Sequence, residues 1–217
     1  MAIADYDSLV AAVKVYAARS DSVFSARIPD FVQFTEARLY EGGGDIGDPT
    51  YTAPLRSRAM EVQGGTIALV DGVGTIADDV LELRRLYRDG DRVGITYAPP
   101  ERLSMLEANA TGSYPVYYTV SGSELRAAPA YTGDLLIDYY ARYDAITSSN
   151  KTGVLMTAHP LLYLEGCLFE AFSFMQDVEL SVSHLAKLRG MIAGANRTAA
   201  ALRYSGPLRT RPRVVFP

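Results

Sequence analysis

Residues 154–204 read VLMTAHPLLYLEGCLFEAFSFMQDVELSVSHLAKLRGMIAGANRTAAALRY. In the second half of this stretch Leu185, Leu188, Ile192, Ala195, Ala199 and Leu202 recur in steps of three and four. That spacing puts all six on one side of a helix and makes a packing seam that has to be covered. In the first half Leu161, Leu164, Leu168, Ala171 and Met175 obey the same rule. Only Gln176 and Asp177 separate the two runs, so the helices return tightly and pack antiparallel. Pro160 suits a first helical turn, where its missing N–H costs nothing, and Asp177 suits the cap of the second helix. Gly166, Gly190 and Gly194 each weaken a helix by roughly 1 kcal/mol relative to alanine, which points to another backbone pressed against them. The stretch reads as a scaffold with no catalytic task.

Outward from this hairpin, the totals set limits. A chain of 217 residues, 48% hydrophobic and 21% charged, has the make-up of an ordinary soluble globular protein of one large domain or two modest ones. No apolar run reaches the roughly 18 residues needed to cross a bilayer, so no membrane is expected as a partner. The start, MAIADYDSLV, lacks the pattern of a secretory signal. A net charge of −4 argues against general nucleic-acid affinity through the body of the protein. The single cysteine, Cys167, has no partner for an internal disulfide and falls in an apolar helix, as a buried inert thiol would. Fifteen tyrosines and no tryptophan favour half-wet β surfaces or subunit contacts over a single dry core.

Before the hairpin the chain divides into a helical part and a β part. Tyr6–Arg19 reads as a first helix with Leu9, Val13, Tyr16 and Ala17 on its apolar face. A short helical turn over Asp21–Arg27 precedes a second helix, Asp30–Glu41, opened by Pro29 and stopped by Gly42-Gly43-Gly44. From Pro54 the periodicity drops towards two. Strands are expected over Arg56–Val62, Thr66–Val70, Leu81–Arg88, Arg92–Tyr97, Tyr117–Val120, Glu124–Ala128 and Leu135–Tyr143. Asp71–Thr75 reads as a glycine-rich link, Glu101–Glu107 as a helical turn, and Ser121-Gly122-Ser123 as a hairpin turn. The fold class expected is α+β: a helical domain built from the N- and C-terminal helices (1–53 and 150–205), an inserted antiparallel β domain (54–149) and an extended C-terminal arm (206–217).

Chemistry has little to stand on. His159 and His184 lie far apart with no helical metal-binding pattern, so no metal is expected. No serine sits in a nucleophile elbow. Gly72-x-Gly74-x-x-Ala77 is followed by Asp78-Asp79 and a strand, so no helix N-terminus would face a pyrophosphate and no cofactor is expected. Glu165 and Glu170 read as polar positions of an amphipathic helix. The asparagine triplets at Asn109, Asn150 and Asn196 carry no meaning without a secretion signal. The arm is different: Arg209, Arg211 and Arg213 interleave with prolines and lead to Val214, Val215 and Phe216. Such a strip has no means of burying itself in its own domain and either stays in solvent or docks on another chain. Phe216 as anchor and arginine–carboxylate pairs as guides favour a partner's groove over DNA.

Several segments, taken in order, resemble the head-to-tail adaptor proteins of short-tailed bacteriophages and their relatives. They are Ala26-Arg-Ile-Pro-Asp-Phe-Val32 with Glu36-Ala-Arg-Leu39, Asp79-Val-Leu-Glu-Leu83, Tyr97-Ala-Pro-Pro-Glu-Arg-Leu103, Leu135-Leu-Ile-Asp-Tyr-Tyr-Ala141 and Leu155-Met-Thr-Ala-His-Pro-Leu-Leu-Tyr-Leu164. The resemblance runs from about Tyr6 to Arg213. This chain departs from it in having Ile76-Ala77 where the family usually has proline, and in a longer Gly42–Pro49 loop. The resemblance implies a non-enzymatic virion protein at the head–tail junction, made in the host cytoplasm and assembled as a ring, typically of twelve copies. The ring would sit beneath the portal and continue the DNA channel, through which DNA passes without sequence-specific binding. The arm residues Arg209, Arg211, Arg213, Val215 and Phe216 would reach grooves of the portal. The β domain would face the next tail component, such as a nozzle or tail hub. The rivals are a tail-tube or head-completion protein of another tail type and, from a different class, a small-molecule-binding or hydrolytic module in the β domain.

Overall fold

The computed structural model describes residues 3–44, 48, 50–90, 94–109 and 112–203. Arg209, Arg211, Arg213, Val215 and Phe216, expected to reach the portal, lie outside them. Among the described residues the chain forms six α-helices, a short 3-10 turn and a seven-stranded sheet, an α+β fold, in two compact units. Among the described residues the helical unit comprises 8–58 and 161–203, and the sheet unit comprises 3–7 and 59–160.

The helical unit is built on α1 (Tyr6–Tyr16), α2 (Ser22–Glu41), α5 (Pro160–Phe174) and α6 (Val178–Arg203). In α1, Leu9, Ala12 and Val13 are buried, whereas Tyr16, expected on the apolar face, is exposed. The helix stops short of Arg19 because Ala18 turns left-handed, at φ 50°, and Arg19 N–H closes back on the Lys14 carbonyl. The short turn and second helix expected around Pro29 are one helix of 20 residues. Asp21 caps it by accepting the Phe24 N–H at 3.0 Å, and Gly42, at φ 78°, ends it. Pro29 is tolerated mid-helix because it faces solvent, where water can serve the carbonyl it leaves without a donor. The turns on either side are held by buried Phe24, Ile28, Phe31 and Val32.

The α5–α6 hairpin turns through Gln176, at φ 61°, and Asp177, whose carboxylate accepts the Leu180 N–H at 3.1 Å. Contacts of Ser173 with Ser181, at 2.7 Å, and of Glu165 with His184 fix the two helices antiparallel. Leu161, expected to face inward, is 57% exposed; the buried face of α5 runs through Leu162, Tyr163, Cys167, Leu168 and Ala171 instead. Met175 falls beyond the end of the helix and is half-buried. Gly166 is where α2 crosses, with Thr35 packed against its Cα; around Gly190 and Gly194 the chain itself places nothing. The neighbour expected at those two positions is therefore not found within this chain's described residues.

The sheet unit holds β1 (Glu61–Val70), β2 (Val73–Thr75), β3 (Val80–Tyr87), β4 (Thr96–Tyr97), β5 (Tyr117–Ser121), β6 (Glu124–Ala128) and β7 (Gly133–Ala141). It also carries α3 (Pro100–Asn109) and α4 (Val154–Ala158). Strand order is β3-β7-β1-β2-β6-β5-β4, antiparallel throughout except the two-residue parallel pairing of β4 with β5. The two strands expected either side of Gly64-Gly65 are one strand, because Gly64, at φ 73°, absorbs the break as a bulge opposite β7. Arg56 is not part of it. In the helical unit, its N–H donates to Asn196 Oδ1 at 2.7 Å while Asn196 Nδ2 donates to the Pro54 carbonyl at 2.9 Å. The link at Asp71-Gly72 is itself a tight hairpin turn, both residues at positive φ, and Val73–Thr75 pairs on as β2. The Gly122 turn joins β5 to β6 as expected. Ile67, Leu69, Leu86, Leu125, Leu135 and Ile137 converge in the unit's core.

Candidate functional site

The helical unit carries its polar groups inward and part of its apolar surface outward. Arg38 of α2 donates to Glu170 of α5 at 3.2 Å and lies over the Phe169 ring, 4.7 Å from its centre. Burial raises the Glu170 carboxyl above its ordinary value, and Arg38 pulls it partly back. Tyr163 donates to buried Glu36 at 3.1 Å, and burial pushes that phenol well above its normal range. His184 contacts Glu165 through Nδ1 at 2.6 Å and stacks on Phe172 with the rings 7° from parallel. Glu165 and Glu170, read as polar positions of an amphipathic helix, also serve as interhelical partners. Cys167 is fully buried and its thiol is pushed up to about 12 by desolvation. Arg38 and Asn196 take roles that the sequence did not assign them: Arg38 pairs with Glu170, and Asn196 holds the Pro54–Arg56 backbone. Each acts between distant segments, so no local spacing marks it.

Of the seam, Leu185, Leu188, Ile192 and Ala199 are buried and Ala195 is half-buried; Leu202 lies on α6 near its described end. The opposite face of α6 is unlike an ordinary solvated face. Val178, 72% exposed, and Val182, 56% exposed, continue through exposed Ala186, Gly190 and Ala193. A shallow hollow of about 380 Å³ lies beside them, lined by Tyr51, Ala53, Arg189, Gly190 and Ala193. Exposed β-branched side chains in line with bare glycine Cα atoms suit the close approach of another protein surface.

In the sheet unit the two edges of the sheet come together. Ile95 N–H donates to the Leu86 carbonyl at 2.7 Å, so the segment leading into β4 is tied to β3, the strand at the other edge of the sheet. α3 packs over β5 and β6 through Leu103 and Leu106, and Arg126 grips Glu107 at 3.0 and 3.1 Å. The tyrosines tie strands to one another: Tyr139 donates to Asp79 at 2.9 Å, Tyr87 to Asp138 at 3.2 Å and Tyr143 to the Ala59 carbonyl at 2.8 Å. Between the edges an opening of about 430 Å³ remains, lined by aliphatic side chains and Tyr97 and Tyr118. Fifteen Asp and Glu stand against eight Lys and Arg in this unit, a net charge of −7, although the whole chain carries only −4. His159 ends α4, its N–H on the Leu155 carbonyl, and burial lowers its imidazole. Among the described residues no group of three or more His, Cys, Asp or Glu is placed to hold a metal ion.

The model of one protein family, described as SU10 adaptor protein, matches residues 4–211. No curated protein matches the chain.

Proposed function

The chain belongs to the SU10 adaptor protein family, phage structural proteins that associate with other components of the particle, and on that premise we propose that it forms the ring joining the portal to the tail. The observation that carries this reading is the family match itself, which runs through both units and into the arm as far as residue 211. The molecular surface supports it. Val178, Val182 and the open Gly190 give α6 an outward face that a neighbouring copy in a ring would cover. The ring, of about twelve copies by the resemblance, sits at the head–tail junction of a short-tailed particle. Its negative charge lets DNA slide along the channel without adhering. The domains act separately: the terminal helices meet the portal and neighbouring copies, the sheet unit faces the next tail component, and the arm, with Arg209, Arg211, Arg213, Val215 and Phe216, enters the portal's grooves.

The test is co-sedimentation of purified chain with purified portal protein. The full chain travels with portal, and a chain ending at Ser205 does not, although its circular dichroism is unchanged. A truncated chain that joins the portal as well as the full one removes the arm from the proposal.

A further inference from the structure

The opening in the sheet unit has the form of a missing strand. β4 covers β5 only at Tyr117 and Tyr118, because Pro99-Pro100 turns the chain away into α3. Past that point no strand of the sheet pairs with Thr119–Ser121 on that side, and residues of β3 and β5 line the opening together. Val80, Leu81 and Leu83 form one bank, and Tyr97, Tyr118 and Val120 the other. An extended segment laid there gains main-chain hydrogen bonds from the edges and sends alternate side chains into the cavity. The exposed carboxylate Asp78 stands on the β3 side, and Glu124 follows the β5–β6 turn. The occupant that fits is therefore an extended strip with one apolar face and one basic face.

The chain itself carries such a strip. In an extended Leu208–Phe216 the residues Leu208, Thr210, Pro212, Val214 and Phe216 fall on one face, and Arg209, Arg211 and Arg213 fall on the other. Its three arginines, with no acid, complement a unit of net charge −7. Pro212 has no N–H to donate, so it forgoes one ladder hydrogen bond to one of the two edges and leaves the pairing to the other intact. We propose that this arm of a second copy docks between β3 and β5, placing Val214 and Phe216 in the cavity and its arginines on the acidic rim. The exchange is head-to-tail, each copy giving an arm and receiving one; such contacts make a closed ring where the rotation between copies closes and an open filament where it does not. An arm seated in this way is withheld from the portal until it is released, so the seat belongs to the free adaptor. The docking of arm and cavity concerns the chain alone; its release to the portal rests on the function proposed above.

Directed cross-linking tests it on full-length chains. Cys167 is buried and its thiol is pushed up to about 12, so it contributes little background. Chains carrying Phe216→Cys are mixed with chains carrying Val120→Cys or Leu83→Cys and oxidised gently. An interchain disulfide is expected to form at least about tenfold faster than with Met105→Cys, an exposed position on α3, because docking raises the local thiol concentration. High salt is expected to slow it by screening the arginines. Equal rates at the cavity and at Met105, or no interchain product at either cavity position, overturn the proposal. So does a single chain bearing both cysteines that links only to itself at every concentration. Portal co-sedimentation of the same chains scores the portal reading separately.

Discussion

Replacing Gly166 by alanine probes the crossing on which the helical unit is built. A Cβ at this position collides with Cγ2 of Thr35 and lies 2.9 Å from its Oγ1. Thr35 has little room to withdraw: it is fully buried, its hydroxyl donates to the Phe31 carbonyl at 2.8 Å, and Cys167 Sγ lies 3.7 Å away. Overpacking of this kind costs about 1–3 kcal/mol, whereas alanine returns roughly 1 kcal/mol of helix propensity, so a net loss of up to about 2 kcal/mol is expected. Gly190→Ala is the internal control. No heavy atom stands within 4 Å of its Cβ, so propensity acts alone and the chain gains up to about 1 kcal/mol. Urea denaturation at constant m-value reads both changes as opposite shifts of the midpoint. Thr35→Ala removes the two nearest atoms, so Thr35→Ala with Gly166→Ala should recover about 1–2 kcal/mol of coupling in a double-mutant cycle. A Gly166→Ala chain stabilised as much as Gly190→Ala would refute the close crossing.

Other expectations are as concrete. His184→Ala removes a ring stacked on Phe172 and strips Glu165 of its partner; a loss of about 1–3 kcal/mol is expected in urea denaturation, and no change would count against the pair. At pH 8 a thiol near 12 is ionised to about one part in ten thousand, so Cys167 should resist alkylation until the fold opens, with a rate that rises with urea. The Glu170 carboxyl is raised from 4.5 by burial, so its contribution to stability is full below that value and lost as pH rises through the folded value. Glu170→Gln should flatten the stability profile just above pH 4.5. Asp21 is lowered, chiefly by the Phe24 N–H, so its contribution is present above 3.8 and is lost on acidification below it. Asp21→Ala should therefore lose less stability than the parent as the pH falls through that range.

The α5–α6 hairpin was legible because its signals are local: apolar residues at helical spacing, a two-residue link and an aspartate able to cap. The Gly122 hairpin was legible for the same reason. Pro29 misled because its cost depends on where the ring points, and the burial of Phe24 and Phe31 on either side decides that it stays within one helix. Gly64-Gly65 looked like a break, yet a bulge opposite β7 carries the strand through it, a feature set by the partner strand. Asp71-Gly72 carried a turn signal that spacing reads as a link, since β2 is only three residues long. The pairing of Arg38 with Glu170 spans 132 positions and leaves no periodic trace. The opening between β3 and β5 is lined by residues about 40 positions apart in the chain, which no single strand announces.

The central claim is that this chain is completed by copies of itself and by its neighbours at the portal–tail junction. Imaging of intact particles by electron microscopy tests it most directly. The account predicts a ring of this chain between portal and tail, with α6 faces covered by adjacent copies and density for the arm. A self-contained monomer absent from that junction, or long stacked tubes of this protein alone, would contradict it.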